Sequence, residues 1–414
     1  MSEYSQNGMY IQDDNSNSPV KVMIVGVGGG GSNAVDNMIE AKVKVDVFMA
    51  INTDKQALRV SKATRRVQIG SNVTKGYGAG ANPEKGRQAA EECRETLTKL
   101  MKDMDLVFIT AGMGGGTGTG AAPVIAEIAH NLKKLTVAFV TTPFKFEGEV
   151  RMRNAQMGIA NLRKFVDSII IVPNERLATV AKDLTTQEAF KYADDILRQG
   201  VQALTDLIVN PGRINVDFAD INTVLENGGD AIMAIGRASG TNRAIEAVKR
   251  AVNNTVLDTS IEGATRAIVQ IEGREVKMNE VSQAVELVRD ICAKEANIVF
   301  GHAIVPELKD QLQVTIIATG FSRGTHGGQA QQQPQQQQQA QPFGQPARPM
   351  ARPVPPLPVT PPVTQGYGAP QEDTEEMPLF APTGSPRPQG PSNGYVGMDD
   401  DTELSWLEKL KKRK

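Results

Sequence analysis

The chain has 414 residues with 45 Lys and Arg against 47 Asp and Glu, a net charge of −2, and only two cysteines and three histidines. The balanced charge excludes a general nucleic-acid binder, which needs a basic stripe. Cys93 and Cys292 lack CxxC spacing and His130, His302 and His326 are scattered, so neither a disulfide scaffold nor a zinc site is expected and no metal ligands are assigned.

The first residues, MSEYSQNGMYIQDDNSNSP, are polar and acidic, which reads as a disordered leader over 1–18 rather than a signal peptide. No apolar run approaches the ~18–20 residues that cross a bilayer, so a soluble, cytoplasmic protein is expected. From Val20, strand-like runs VKVMIVGV (20–27), VFMAIN (47–52), LVFIT (106–110), LTVAFV (135–140) and SIIIV (168–172) alternate with helical patterns. Near-continuous apolar strands separated by helices predict a parallel sheet covered on both faces. A long helix follows over 184–209, with Phe190, Ala193, Leu197, Val201, Leu204 and Ile208 on one stripe. Thr185-x-x-Glu188 caps its start and Asn210-Pro211-Gly212 stops it. A second unit carries strands at 231–238, 266–273, 297–305 and 313–320, with helices over 242–252 and 279–293.

The expected fold is therefore α/β. A Rossmann-like parallel-sheet domain over 19–209 is joined by the long central helix to a smaller α+β domain over 210–321. A Gln- and Pro-rich stretch, 322–397, cannot bury a core and reads as a disordered linker, and 398–414 regains order-like features around the only tryptophan, Trp406.

The sharpest chemical signal is GMGGGTGTGAAP (112–123), where six of the first nine residues are glycine between a strand and a helix. Each ordered glycine costs up to ~1 kcal/mol relative to alanine, and a tight turn needs only one or two. Exposed N–H groups at a helix start make an anion cradle, so the stretch reads as a phosphate loop. GVGGGGSNA (26–34) after the first strand is a second cradle, containing Gly26-x-Gly28-x-x-Gly31. GYGAGANPE (76–84) is a third glycine-rich stretch, with Asn82 as N-cap and Pro83 at the first helical position. Loops at strand C-termini converge on one crevice, and two strong ones facing each other suit a nucleotide with a long phosphate chain. The Walker pattern GxxxxGK[ST] is absent, and neither loop offers a lysine. Backbone amides, helix dipoles and Mg²⁺ would carry the charge.

GGGTGTG (114–120) resembles the signature loop of the tubulin superfamily, and its context resembles the bacterial cell-division GTPases within it. The likeness runs through GVGGGGSNAV, AINTDKQAL, KGYGAGANPEKGR, PFKFEGEVR, VPNERL and NVDFAD to ATGF, roughly Val20 to Phe321. It implies GTP or GDP as ligand, with Mg²⁺ held mainly by the phosphates. It also implies a cytoskeletal GTPase that polymerises head to tail into the division ring at mid-cell. Phosphate binding is implied for Gly29, Gly30, Gly31, Ser32 and Asn33 and, from the other side, for Gly116, Thr117 and Gly118. Ala79, Gly80 and Ala81 would lie near the γ-phosphate, Glu147 and Arg151 near ribose and phosphates, and Asn174 near the sugar. From spacing alone Glu147 and Arg151 read as an ordinary i, i+4 surface ion pair.

Phe190 and Asp194 also fall four apart. An aromatic face stacks on a purine, and a carboxylate accepts both guanine N1–H and N2–H, a donor pair adenine lacks. By pattern alone Phe190 reads as core and Asp194 as a solvated face, and the adjacent Asp195 leaves the choice of base reader open. In NVDFAD, Asn215, Asp217 and Asp220 are the catalytic candidates, because paired carboxylates orient and polarise a water. Phe190 to Val209 spans roughly 28 Å of helix, at 1.5 Å per residue. If Phe190 touches the base, the acids are placed to act on the next molecule's nucleotide, a contact that propagates as a filament.

The division proteins of this family end in a peptide that binds membrane-tethering partners. Here Ser405-Trp406-Leu407 and KLKKRK supply the aromatic, leucine and basic end without the usual proline, while EEMPLF (375–380) has a proline but no basic end. Residues 398–414 are the expected partner-binding peptide. Two other functions compete: an NAD(P)-dependent Rossmann oxidoreductase built on Gly26, Gly28 and Gly31, and a GTP-binding scaffold without turnover. The second glycine loop, and the absence of any candidate hydride-site group, weigh against the first.

Overall fold

The computed structural model describes residues 20–180, 185–209, 216–253 and 260–321. The leader 1–18, Asn215, the linker 322–397 and the peptide 398–414 lie outside the described residues.

Ten strands form one sheet: β1 (Val22–Val27), β2 (Val47–Asn52), β3 (Arg65–Gln68), β4 (Leu106–Gly112), β5 (Leu135–Thr142), β6 (Ser168–Pro173), β7 (Gly229–Ser239), β8 (Arg266–Gly273), β9 (Asn297–Ile304) and β10 (Gln311–Thr319). Their spatial order is β3-β2-β1-β4-β5-β6-β7-β10-β8-β9. From β3 to β7 every pairing is parallel; β10 is antiparallel to both β7 and β8, and β9 is parallel to β8. This is the α/β architecture expected, a parallel sheet followed by a smaller mixed layer. Only Ser168–Ile170 of β6 pair with β7, so the two halves share a short seam.

Buried aliphatic strands β1, β2, β4, β5 and β6 explain why both faces are covered by helices. On one face pack the helix Gly28–Glu40 and the long helix Thr186–Val209, over Ile24, Phe108 and Phe139. On the other lie the helices Pro83–Glu92, Thr117–Asn131 and Glu149–Leu162, over Val25, Ile109 and Val140. A third cluster joins the helices Arg243–Val252 and Met278–Ile291 to β7, β8 and β10.

The long helix begins with the capping box read from its sequence: Thr185 N–H donates to Glu188 at 2.8 Å and Glu188 N–H to the Thr185 hydroxyl at 3.3 Å. Ala193, Leu197, Val201 and Leu204 are buried as the stripe predicts. The helix runs antiparallel to β5. Phe190 meets Phe144 just beyond the C-terminal end of that strand, and Gly200 lies on Phe139 in its middle. No helix among the described residues is long and apolar enough to cross a membrane.

Two helices start earlier than a propensity reading allows. The first takes up Gly28–Gly31, and the second starts at Thr117 and continues through Gly118, Gly120 and Pro123. Tertiary contact outweighs local propensity here. A Cβ on Gly120 would stand 1.9 Å from the Pro83 carbonyl oxygen, and one on Gly86 would stand 2.3 Å from that of Gly116. The helices Pro83–Glu92 and Thr117–Asn131 therefore touch backbone to backbone. Gly120→Ala must push them apart and is expected to cost on the order of 1–3 kcal/mol, the usual range for overpacking. Thermal unfolding measures it, and an unchanged melting temperature would contradict this packing.

Candidate functional site

Connections from β1 lead outward to β2 and β3, and those from β4 lead the other way to β5 and β6. The order thus reverses between β1 and β4, and in an open α/β sheet the crevice beyond the strand ends at such a point receives ligands. The loops that border it are the glycine-rich ones.

Gly28, at φ +74°, leaves β1 so close to the second loop that a Cβ would lie 2.8 Å from Gly118 N. Gly31 approaches the Thr110 carbonyl of β4 so that a Cβ would be 2.3 Å from its oxygen. The third loop is pinned to the end of β2, with Gly78 N–H donating to Thr53 O at 3.3 Å and Lys55 N–H to Gly76 O at 3.1 Å. It meets the second loop at Gly116, whose Cβ would be 2.7 Å from Ala79 Cβ. Buried hydroxyls of Thr53 and Thr117, 2.6 Å apart, tie the end of β2 to the signature helix. All three loops therefore meet.

What they surround is open. A Cβ built on Gly29, Gly80 or Gly115 meets no atom within 4 Å. Ala81 is held at φ +57°, a left-handed conformation that costs a non-glycine residue roughly 1–2 kcal/mol. Two helices begin at this opening, Gly28–Glu40 and Thr117–Asn131, and neither has a side-chain N-cap hydrogen bond or an acidic residue in its first turn. The helices Lys55–Val60 and Pro83–Glu92 nearby are capped by Asp54 and Asn82. Two uncapped N-termini side by side present free N–H groups and the positive ends of two dipoles, the arrangement that holds an anion. Ser32 and Asn174 are 4% and 5% exposed, yet Ser32 Oγ and Asn174 Oδ1 have no hydrogen-bond partner. Leaving a buried polar atom unpaired costs ~1–3 kcal/mol, which a polar ligand would recover. Asn33, Gly29 and Gly30 are exposed at the rim, while Gly31, Gly116, Thr117 and Gly118 are buried beneath it.

A second cluster stands where the long helix meets the end of β5. Phe144 and Phe146 stack at 5.1 Å, and Phe190 meets both rings edge-on, at 5.1 and 6.5 Å. Phe190 is 40% exposed, so the periodicity that read it as core is corrected: at the helix end it lies past the sheet. Glu147 and Arg151 form the ion pair their spacing predicts, with Glu147 in the 3-10 turn Lys145–Glu147 that precedes its partner's helix. Glu147 also accepts the Phe144 N–H at 3.0 Å. Of the two adjacent acids, Asp195 is engaged by Arg198 and Gln199, each at 2.7 Å. Asp194 is half-buried, and its carboxyl has no hydrogen-bond partner among the described residues. Burial, with the Asp195 charge beside it, pushes the Asp194 carboxyl up to about 7.

Asp217 and Asp220 are not part of this opening. Asp217 is the N-cap of the helix Phe218–Leu225 and Asp220 lies in its first turn, both exposed, beyond the far end of the long helix. Their helix packs on β5, β8 and β9. Among the described residues no group of three or more His, Cys, Asp or Glu is arranged to hold a metal ion. Both cysteines are free, and burial pushes the Cys292 thiol up to about 11. Sequence reasoning missed three features: Thr53, the open face of Gly115, and the Phe144–Phe146 stack under Phe190. Gly115 lay inside a motif already singled out; nothing in the sequence pairs Thr53 with Thr117.

The Tubulin/FtsZ family GTPase domain matches residues 21–182, and the FtsZ family C-terminal domain matches residues 229–322. An empty FtsZ dimer from M. jannaschii is 40% identical over 74% of this chain and 90% of that one, with a TM-score of 0.71. A variant of FtsZ from the same organism is 41% identical over 73% and 91%, also at 0.71. CetZ2 from Haloferax volcanii, solved as a GTPγS-bound protofilament, shares the fold at 22% identity over 73% and 94%, with a TM-score of 0.64. Glycine loops meeting at the switch point, a parallel sheet continued into a mixed layer, and two domain matches in the same order place this chain in the Tubulin/FtsZ family of GTPases.

Proposed function

We propose that this protein binds GTP in the glycine-lined opening, assembles head to tail, and hydrolyses the nucleotide with acids supplied by the neighbouring subunit. The observation that carries the reading is the separation of two half-sites: an anion cradle at one end of the long helix, and a pair of exposed carboxylates beyond the other. The related FtsZ dimer supports self-association.

In this reading Gly29, Gly30, Gly31, Ser32 and Asn33 take the phosphates from one side and Gly116, Thr117 and Gly118 from the other. Ala79, Gly80 and Ala81 border the γ-phosphate. Glu147, Arg151 and Asn174 surround the ribose, with Asn174 Oδ1 gaining the partner it lacks. Phe190 stacks on the base, and Asp194, rather than the engaged Asp195, accepts guanine N1–H and N2–H. Mg²⁺ bound with the phosphates would offset part of their charge, no side chain here being assigned to hold it. Asp217 and Asp220, with Asn215 from the preceding segment, orient and deprotonate a water on the next subunit's γ-phosphate. Residues 398–414 around Trp406 tether the filament to membrane-anchored division proteins at mid-cell.

The trans arrangement makes turnover a property of the assembly. GTPase activity per molecule should be near zero below a threshold concentration and rise above it, and Asp217→Ala should bind GTP yet turn over ~10²–10⁴-fold more slowly. Activity per molecule independent of dilution would refute the shared site.

Gly115→Ala tests the cradle. Its Cβ meets nothing in the fold, so the melting temperature should stay within a degree or so while GTP affinity drops at least about tenfold. Equal affinity would mean that the phosphates lie elsewhere.

Base reading by Asp194 carries a pH signature. In the free protein this carboxyl is protonated below about 7, and only its ionised form accepts two donors. Affinity for GTP should therefore rise with pH and level off above 7, being about tenfold weaker at pH 6 than at pH 8, one pKa unit being a factor of ten. Equilibrium titration of wild type and Asp194→Asn checks this: the variant should bind more weakly and lose the slope.

A further inference from the structure

The helix Phe218–Leu225 presents Asp217 and Asp220 at one end and is gripped at the other. Arg266, at the start of β8, donates from Nη1 to the carbonyls of Thr223 and Glu226 at 2.9 Å each, and from Nη2 to that of Asn227 at 3.2 Å. Thr319 of β10 donates its hydroxyl to Val224 O at 2.7 Å, and Ser168 of β6 donates to Leu225 O at 2.6 Å. Each carbonyl from 223 to 227 thus accepts a hydrogen bond from a side chain on the sheet. Ser168 and Thr319 are fully buried. Asp167 adds a contact below, accepting the Asn227 N–H at 3.4 Å while it holds Thr136 N–H at 2.8 Å.

An eight-residue helix is too short to hold itself in water. Its last carbonyls are ordinarily satisfied by a backbone turn or by solvent. A guanidinium there also complements the negative end of the dipole. The two acids, by contrast, have no side-chain hydrogen bond among the described residues, so no described side chain orients them. Their direction is set by the axis of the helix, which buried Ile221, Val224 and Leu225 seat against the sheet and the hydrogen bonds to its last carbonyls fix at the far end.

We propose that Arg266, with Ser168 and Thr319, is a positioning residue that aims Asp217 and Asp220 at the nucleotide of the adjoining subunit. This rests on the reading that the acids act in trans. Arg266 grips Thr223 O three residues beyond Asp220 and six beyond Asp217, roughly 4.5 and 9 Å along the helix axis. It acts mechanically, and a misplacement of about 1 Å is enough to cost up to ~10²-fold in rate.

The test uses the full chain above its assembly threshold. GTP turnover is measured per sedimented subunit, and GTP affinity separately by equilibrium titration. Arg266→Ala should lower turnover on the order of ten- to a hundredfold while GTP affinity stays within about twofold. Arg266→Lys, whose ammonium reaches fewer of the three carbonyls, should recover part of the loss. Added to a variant that carries both Asp217→Ala and Asp220→Ala, Arg266→Ala should cause no further loss, because it works through those acids. Wild-type turnover in Arg266→Ala beside slow turnover in Asp217→Ala would overturn the positioning role and leave the trans reading standing. Wild-type turnover in Asp217→Ala would overturn both. A triple variant slower than the variant lacking both acids by the full Arg266→Ala factor would also overturn it. If Arg266→Ala fails to fold, Thr319→Val, which keeps the shape and removes one donor, decides by the same comparison.

Discussion

The structure depends on backbone meeting backbone at the edge of the parallel sheet. Four contacts define it: Gly28 on Gly118, Gly31 on Thr110 O, Gly86 on Gly116 O, and Gly120 on Pro83 O. None has room for a Cβ. These contacts bring the start of the helix Gly28–Glu40 and that of Thr117–Asn131 beside one another, and the polypeptide accepts six glycines in nine residues to do so. A wider spacing would separate the two uncapped N-termini and weaken the positive potential between them. Thus the packing constraint and the electrostatics of the opening have the same origin.

The long helix turns that local arrangement into a distance. Its N-terminal box, its buried stripe and the close crossing of Gly200 over Phe139 and Met233 hold it as a rigid spacer from the aromatic cluster to the second layer of the fold. Polar contacts add to this layer. Gln313 of β10 bonds both Arg237 of β7 and Glu272 of β8, while burial and the Asp206 carboxylate hold Glu272 above the ordinary carboxylate range. A carboxyl so buried binds its proton more tightly in the folded chain than in the unfolded one. Its contribution to stability is therefore fully present below the unfolded pKa and declines as pH rises towards the folded one.

The two ends of the spacer solve the same problem differently. At the nucleotide end, free N–H groups of helix starts are left for a ligand. At the acid end, the carbonyls of a helix finish are saturated by Arg266, Thr319 and Ser168, while the carboxylates are exposed and have no side-chain hydrogen bond among the described residues. Unsatisfied polar groups are costly when buried and are tolerated where a partner is to arrive. In the proposed head-to-tail contact each end would receive from the other what it lacks.

The sequence by itself determined the fold class, most strands to within two or three residues, the capping box at Thr185 and Glu188, and the Asn82-Pro83 helix start. These depend on apolar periodicity and local hydrogen bonds, which neighbouring residues encode. It also marked all three loops, because a run of glycines costs too much backbone entropy to serve no close approach. Only the tertiary structure decided where the helices at Gly28 and Thr117 begin, since glycine and proline read as breakers until the helix packed against them is known. The edge strand Arg65–Gln68, short and largely exposed, carries no apolar signal and emerges only from pairing with β2. Phe190 looked like core because the stripe continues through it; its exposure follows from where β5 ends. Asp194 and Asp195 are indistinguishable in sequence and differ only because Arg198 and Gln199 reach one and leave the other desolvated. The grip on Thr223 to Asn227 joins residues from 57 to 95 positions apart at Ser168 and Thr319. No local pattern encodes such a contact; it exists only once β6, β7, β10 and β8 lie in one sheet.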